Sequence, residues 1–229
     1  KVKIGLNIST RLKNSYHNIE TLIQEVSLFD EINITIFEQS GNIEIKQSGI
    51  NIGCSLEKNT CYIVTNLLKK KFSIKNEIKI NIKKNIPIGS GLGGGSSNAA
   101  SILNFFNKKF KLKLSKSEKS QICQTIGMDV PFFIDGGLQF AEGMGERLKS
   151  VPPVFKEHFF VLVFPKFKVS THWAYSNINK RLPSKKKLYN LLAQKKTINF
   201  NLFGNDFESI VIPRYPEIRD IKKYLLSEN

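Results

Sequence analysis

The chain has 229 residues, 41% of them apolar and 24% charged. That is long enough for one large core or two small ones without disulfides or metals, and the composition excludes disorder, collagen and a disulfide scaffold. Lys plus Arg number 35 against 19 Asp plus Glu, a formal net charge of +16. Such a balance points first to an anionic partner: nucleic acid, an anionic membrane or a phosphorylated small molecule. The three cysteines, Cys54, Cys61 and Cys123, form no CxxC pair and read as reduced thiols of a cytoplasmic protein. No run approaches the ~18 apolar residues of a membrane span, and no signal peptide is visible. The chain opens on Lys1 rather than Met, so a trimmed start is expected.

In chain order, Val2 to Ile8 alternates apolar and polar residues and reads as a half-buried strand. Segments 31–37 (EINITIF) and 43–47 (IEIKQ) alternate likewise and predict a hairpin around Gly41-Asn42. Residues 58–71 are helix-like, with Ile63, Leu67 and Leu68 on one face. Segment 78–84 places Ile78, Ile80 and Ile82 on one side and Lys79, Asn81 and Lys83 on the other. It runs into Asn85-Ile86-Pro87 and a loop holding five of the 15 glycines between positions 89 and 95. Ala99 to Phe110 then predicts a helix capped by Ser96 or Ser97. Residues 115–126 predict another, opened by the capping box Ser115-x-x-Glu118. Beyond Gly145 the texture changes. Pro152-Pro153 reads as a linker, and Phe159 to Phe164 as a fully buried strand. Between His158 and Asn205 there are nine basic residues and no acidic one. The expected domain boundary falls near 148–155, dividing residues 1–150 from 151–229.

The glycine loop between a strand and a helix is an anion trap. Its bare backbone N–H groups can converge on phosphate oxygens, and the helix start adds positive potential. Gly89-x-Gly91-x-x-Gly94 matches the dinucleotide fingerprint, but the acid that should follow about 20 residues on is replaced by a helix opening. The P-loop pattern needs a Lys where Ser96 stands. Both standard readings fail while the phosphate-binding physics survives. Asp129, in Gly127-Met128-Asp129-Val130-Pro131-Phe132, is a general base toward a substrate hydroxyl, a group that helps hold a metal, or a turn residue satisfying local N–H groups.

Pro87-Ile88-Gly89-Ser90-Gly91-Leu92-Gly93-Gly94-Gly95-Ser96-Ser97-Asn98-Ala99-Ala100 resembles the signature phosphate loop of the GHMP kinases. Four further segments resemble the branch of that family that phosphorylates 4-CDP-2-C-methyl-D-erythritol: Tyr16-His17-Asn18-Ile19-Glu20-Thr21, Gly127 to Phe132, Glu142-Gly143-Met144-Gly145-Glu146, and Asn205-Asp206-Phe207-Glu208. They stand in the family's order and span nearly the whole chain.

The resemblance implies an α+β, two-domain GHMP kinase fold. The N-terminal domain would resemble the fifth protein of the small ribosomal subunit, the C-terminal one a ferredoxin-like α/β sandwich, with the site in the cleft between them. It implies ATP-dependent phosphorylation of the 2-hydroxyl of 4-CDP-2-C-methyl-D-erythritol in the non-mevalonate route to isoprenoid precursors. The loop from Pro87 to Ser97 would wrap the ATP triphosphate, with Mg²⁺ held by phosphates, water and a loop hydroxyl and no dedicated metal-ligand set. Asn59 would lie near the adenine. Asp129 would take the hydroxyl proton, and Lys1 would hold Asp129 ionised. A second register would give the role of Lys1 to Lys3, at the cost of a two-residue deletion before Tyr16. In the preferred register Lys3 replaces the family's Asn and adds positive charge beside the substrate phosphates. Tyr16 and His17 would bind the cytosine, and Val169-Ser170-Thr171 with Trp173 and Tyr175 would either close over the substrate or pack. His158 and His172 read as structural. The stretch Lys180 to Lys196 reads as a solvated face. No nucleic acid or membrane partner is expected, and a monomer or weak homodimer is. After the Asn205 segment the family carries a third glycine motif, G-S-G-x-[ST]; the chain stops at Asn229 before it, so the C-terminal domain is expected to be incomplete. The competing functions are another GHMP kinase, of homoserine or mevalonate type, and a basic nucleic-acid binder without kinase activity.

Overall fold

The computed structural model describes residues 1–11, 17–51, 53–155, 157–178 and 203–227. Contacts divide the chain into two units: Lys1 with Glu25–Gly136, and Val2–Gln24 with the described residues from Gly137 on. This division differs from one at 148–155, because strands within residues 2–24 share a sheet with strands within residues 138–150.

In the first unit, β3 (Glu31–Ser40), β4 (Ile43–Gly49) and β5 (Asn76–Lys84) form a sheet ordered β3-β5-β4. β5 runs antiparallel to β3 and parallel to β4. The expected hairpin is therefore absent: β3 and β4 do not pair with each other. β5 takes the central place because its alternation is the strongest, burying Ile78, Ile80 and Ile82 at 0–1% exposure. The Gly41-Asn42 link instead steps across the start of β5, with Gly41 N–H donating to the Lys75 carbonyl and Ile78 N–H to the Asn42 carbonyl. A Cβ on Gly41 would lie 2.8 Å from the Glu77 Cβ, so the crossing needs glycine.

Three helices cover the apolar side of this sheet: α1 (Thr60–Lys71), α2 (Gly94–Lys109) and α3 (Lys116–Ile126). Val64, Leu68, Ile102, Leu103 and Phe106 pack on the buried isoleucines. Asn59 caps α1 by accepting from Cys61 N–H at 2.9 Å. The capping box of Ser115 and Glu118 opens α3 as expected. α2 begins earlier than expected, at Gly94, so Ser96 and Ser97 lie inside its first turn and neither is the N-cap. Gly93 is the N-cap, in the left-handed conformation at φ 77°, because the glycine run itself winds into the helix. The one-turn α4 (Phe132–Asp135) follows the Asp129 turn.

The second unit holds a sheet ordered β1-β2-β6-β7, from β1 (Val2–Arg11), β2 (His17–Gln24), β6 (Leu138–Gly143) and β7 (Arg147–Ser150), all antiparallel neighbours. β1 is an edge strand bulged at Gly5. Its free side is met by Asn205 and Asp206: Leu6 N–H donates to the Gly204 carbonyl, and Ile8 N–H to Asp206 Oδ2 at 2.7 Å. This is the work of the Asn205-Asp206 motif. Among the described residues the unit also holds the helices α5 (Thr171–Asn177), α6 (Glu208–Arg214) and α7 (Pro216–Ser227). Phe159 to Phe164 is not the expected buried strand. Phe159 is 97% exposed and Val161 79%. Among the described residues no strand pairs with this segment, and an unpaired backbone cannot enter a core. Phe160 packs inward, beside Phe155. The basic stretch 180–196 lies outside the described residues.

Ile80→Ala is expected to lower unfolding free energy by about 2–5 kcal/mol, since it empties a site at the centre of the first core. Phe159→Ser is expected to change it by less than about 0.5 kcal/mol, because the ring is already in water. Urea unfolding of both variants measures the contrast.

Candidate active site

The alternation of β5 carries Lys84 to the core side, in step with Ile78, Ile80 and Ile82. The chain then leaves the sheet through Ile86 and turns across Pro87 to Leu92, with Gly89, Gly91 and Gly93 all at positive φ. This path delivers the start of α2 against the end of β5. No side chain caps that helix end, so the N–H groups of its first turn are left for a ligand. A Cβ on Gly94 would lie 3.0 Å from Lys84 Nζ and 3.1 Å from the Ile86 Cβ. Glycine here lets the strand, the ammonium and the helix start share one place.

A cavity of about 330 Å³ opens at this point. Its wall includes Asn59, Thr60 and Lys84, the loop residues Pro87 to Gly91 with Gly93 to Gly95, and Asn98 and Asp129. Leu92 is buried behind the loop. Its carbonyl accepts from the Lys1 backbone nitrogen at 3.0 Å, which ties the first residue to the loop. Lys1 Nζ lies 3.0 Å from Asp129 Oδ2. The Lys1 side chain is 3% exposed and that of Asp129 42%, so the pair joins a buried cation to a carboxylate open to solvent. Asp129 stands in the turn between α3 and α4. Asn59 uses Oδ1 as the α1 cap, and its buried Nδ2 has no acceptor among the described residues. A buried amide donor left in this way is costly unless a ligand meets it. Thr60 Oγ1 donates to the Gly95 carbonyl at 2.9 Å and holds the first turn of α2 against α1.

Thus Lys1, Asn59, Asp129 and the loop from Pro87 come together in the first unit. Ser96 and Ser97 lie in the first turn of α2, outside the cavity wall. His17 and Lys3 belong to the second unit. His17 is 7% exposed and stacks on Tyr175, with centroids 5.5 Å apart and planes at 20°. Lys3 is exposed on β1. Tyr16 lies outside the described residues. Trp173 packs edge-on to Tyr215 at 5.9 Å.

Sequence reasoning missed Asp30, Lys84, Thr60 and Asn98. Asp30, at the foot of β3, has a side chain with no exposure. It pairs with Lys84 Nζ. Its Oδ1 accepts from Asn85 N–H and Ile86 N–H, each at 2.9 Å, and its Oδ2 from Asn98 Nδ2 at 2.9 Å. Burial alone would raise the Asp30 pKa, but the bonds from Lys84, Ile86, Asn85 and Asn98 outweigh it and hold it below the ordinary value. The signal was available: parity along 78, 80 and 82 puts Lys84 inside, and a buried lysine demands an acid. Burial pushes the neighbouring Cys61 thiol up to about 12, so it packs as a neutral group.

Residues 59–137 match the family profile described as the GHMP kinases N terminal domain. The 4-diphosphocytidyl-2-C-methyl-D-erythritol kinase of Bacteroides fragilis is 36% identical over 229 residues, covering all of this chain and 83% of its own length. That of Chlorobaculum tepidum is 32% identical over 231 residues, covering 98% and 79%. The chain belongs to the 4-diphosphocytidyl-2-C-methyl-D-erythritol kinase family. A crystal structure of a 4-(cytidine 5'-diphospho)-2C-methyl-D-erythritol kinase superposes with a TM-score of 0.78 at 24% identity, over 99% of this chain and 80% of that one. The likeness shows that the 4-diphosphocytidyl-2-C-methyl-D-erythritol kinase family and this chain share the two-domain GHMP kinase fold.

Among the described residues no three acidic, His or Cys side chains gather as a metal cage. No described helix is long and apolar enough to cross a membrane.

The Asp30 network gives a pH dependence. The folded carboxyl binds its proton more weakly than the unfolded one, whose ordinary value is 3.8. Its stabilisation is therefore complete above that value and lost as pH falls through it toward the lower folded value. The urea midpoint of wild type should exceed that of Asp30→Asn by a constant margin near about pH 6, and the margin should shrink toward about pH 3.

Proposed function

We propose that the chain transfers the γ-phosphoryl group of ATP to the 2-hydroxyl of 4-CDP-2-C-methyl-D-erythritol and releases ADP. The observation that carries this reading is the Lys1–Asp129 ion pair on the cavity lined by the uncapped start of α2. The N–H groups of that first turn would hold the phosphate oxygens, aided by the helix dipole. Asn59 Nδ2 would donate to a ring nitrogen of the adenine, the acceptor this buried amide lacks among the described residues. Asp129 would accept the hydroxyl proton as the new O–P bond forms and the bridging bond to the β-phosphate breaks. Lys1 would keep Asp129 ionised and offset charge on the transferring group.

Mg²⁺ fits this cavity as an ion carried mainly by the nucleotide's phosphates, with the Asp129 carboxylate and the Ser90 hydroxyl as the nearby protein oxygens; when bound, it neutralises triphosphate charge. His17, Tyr16 and Lys3 are read as the groups that bind the cytidine diphosphate end. Tyr175, stacked on His17, extends that aromatic surface. We also read residues 1–150 and 151–229 as the two family domains, and the protein as a cytoplasmic monomer or weak homodimer that acts without nucleic acid.

Coupled ADP release with the cytidyl alcohol, homoserine and mevalonate tests the substrate. Turnover of the first alone is expected; turnover of homoserine or mevalonate instead would replace this reading. Asp129→Asn is expected to lower kcat about 10²- to 10⁴-fold with little change in KM for ATP. Asn59→Leu is expected to raise KM for ATP about three- to tenfold and leave KM for the alcohol unchanged.

A further inference from the structure

Asp30 lies outside every glycine motif and does not line the cavity, whereas its partners Lys84 and Asn98 do. All four of its contacts reach the joint between β5, the phosphate loop and α2. Lys84 is the last residue of β5, Asn85 and Ile86 begin the loop, and Asn98 lies in the second turn of α2. One carboxylate therefore fixes the strand exit, the loop entry and the helix start together.

The charge arithmetic matters as much as the geometry. Lys84 is 5% exposed, and its ammonium sits beside Gly94, at the same helix end whose dipole is positive. Two positive features at one buried place repel each other. A buried ammonium without a partner either swings away or loses its proton. Asp30 removes that conflict. It is itself tied to backbone N–H groups, so it holds the ammonium at a fixed point on the cavity wall.

We propose that Asp30 is a positioning residue for nucleotide binding, acting through Lys84: it keeps a lysine ammonium at the first turn of α2, where a polyphosphate can reach both. Asp30 touches no substrate. Its effect is on how tightly the triphosphate is held, not on proton removal from the alcohol.

The inference rests on the nucleotide reading of the cavity, and its test separates the two. Binding of ADP and of a non-hydrolysable ATP analogue to the purified chain is measured by titration calorimetry. If wild type binds neither, the functional reading itself fails. Asp30→Asn is the informative variant. The amide oxygen still accepts from Asn85 and Ile86 N–H, but the amide nitrogen meets the Lys84 and Asn98 donors with a donor. It is expected to bind the nucleotide about tenfold more weakly and to raise KM for ATP in proportion, with KM for the alcohol unchanged. A merely structural residue would lower the folded fraction and the apparent kcat without that split. Lys84→Met is expected to weaken binding about as much, and adding Asp30→Asn to it should cost less than about a further twofold. Asp30→Glu should recover part of the affinity. Additive losses in the double variant, or nucleotide affinity unchanged in a folded Asp30→Asn, would overturn the proposal. If Asp30→Asn does not fold, Asn98→Ala decides, because it removes one contact of four. A loss of about threefold in affinity supports the proposal, and no loss refutes it.

Discussion

The structure depends on keeping a helix end open inside a packed unit. Side chains close the starts of α1, α3 and α5, through Asn59, Ser115 and Ser170. Among the described residues no side chain closes α2, and its first residues are glycines that offer no shielding. Left alone, such a segment would fray or fold back on a local hydroxyl. It is held from outside instead. Thr60 bonds the Gly95 carbonyl, the Lys1 backbone bonds the Leu92 carbonyl, and Asp30 gathers the loop entry and Asn98. Each of these groups satisfies a carbonyl, a loop N–H or a side chain and leaves the first-turn N–H groups untouched. The anchoring groups come from distant parts of the sequence, so the open end is a product of the whole unit.

Where local rules decide, the sequence was legible. The alternation of β5, the capping box at Ser115 and the glycine-rich path from strand to helix all follow from neighbours within a few residues. Lys1 and Asp129 were named together only through the resemblance, since 128 positions separate them and no spacing rule links such a pair. What was misread depends on partners. The 31–37 and 43–47 segments alternate like a hairpin, yet a third strand with a stronger apolar face claims the place between them. The serines at 96 and 97 look like caps, but glycine can wind into a helix when its flanks are fixed by tertiary contacts. Phe159 to Phe164 is apolar enough for a core, and composition cannot say whether a neighbouring strand will meet it.

Asp30 and Lys84 show a different limit. Each is a common residue in a lysine-rich chain, and neither lies in a motif. The background charge of +16 hides the one lysine whose environment sets it apart. Lys79 and Lys83, five residues and one residue earlier on the same strand, make solvent-facing pairs with Glu44, Glu77 and Glu31, of the kind that contribute little. The step to the other face of the strand changes the same side chain from decoration into a buried charge with an obligatory partner.

The order β3-β5-β4 also bears on how the first unit comes to fold. A true hairpin could zip from its turn within microseconds, before the rest of the chain was involved. Here neither strand flanking Gly41-Asn42 has a pairing partner until β5 arrives, after the whole of α1 has been made. One of the two pairings it then makes is parallel, closing a loop of 35 residues between Ile43 and Ile78 (78 − 43). The entropy of that closure must be lost before the isoleucines gain their contacts. The sheet that carries the phosphate loop thus has a non-local topology, of the kind that forms more slowly than a hairpin.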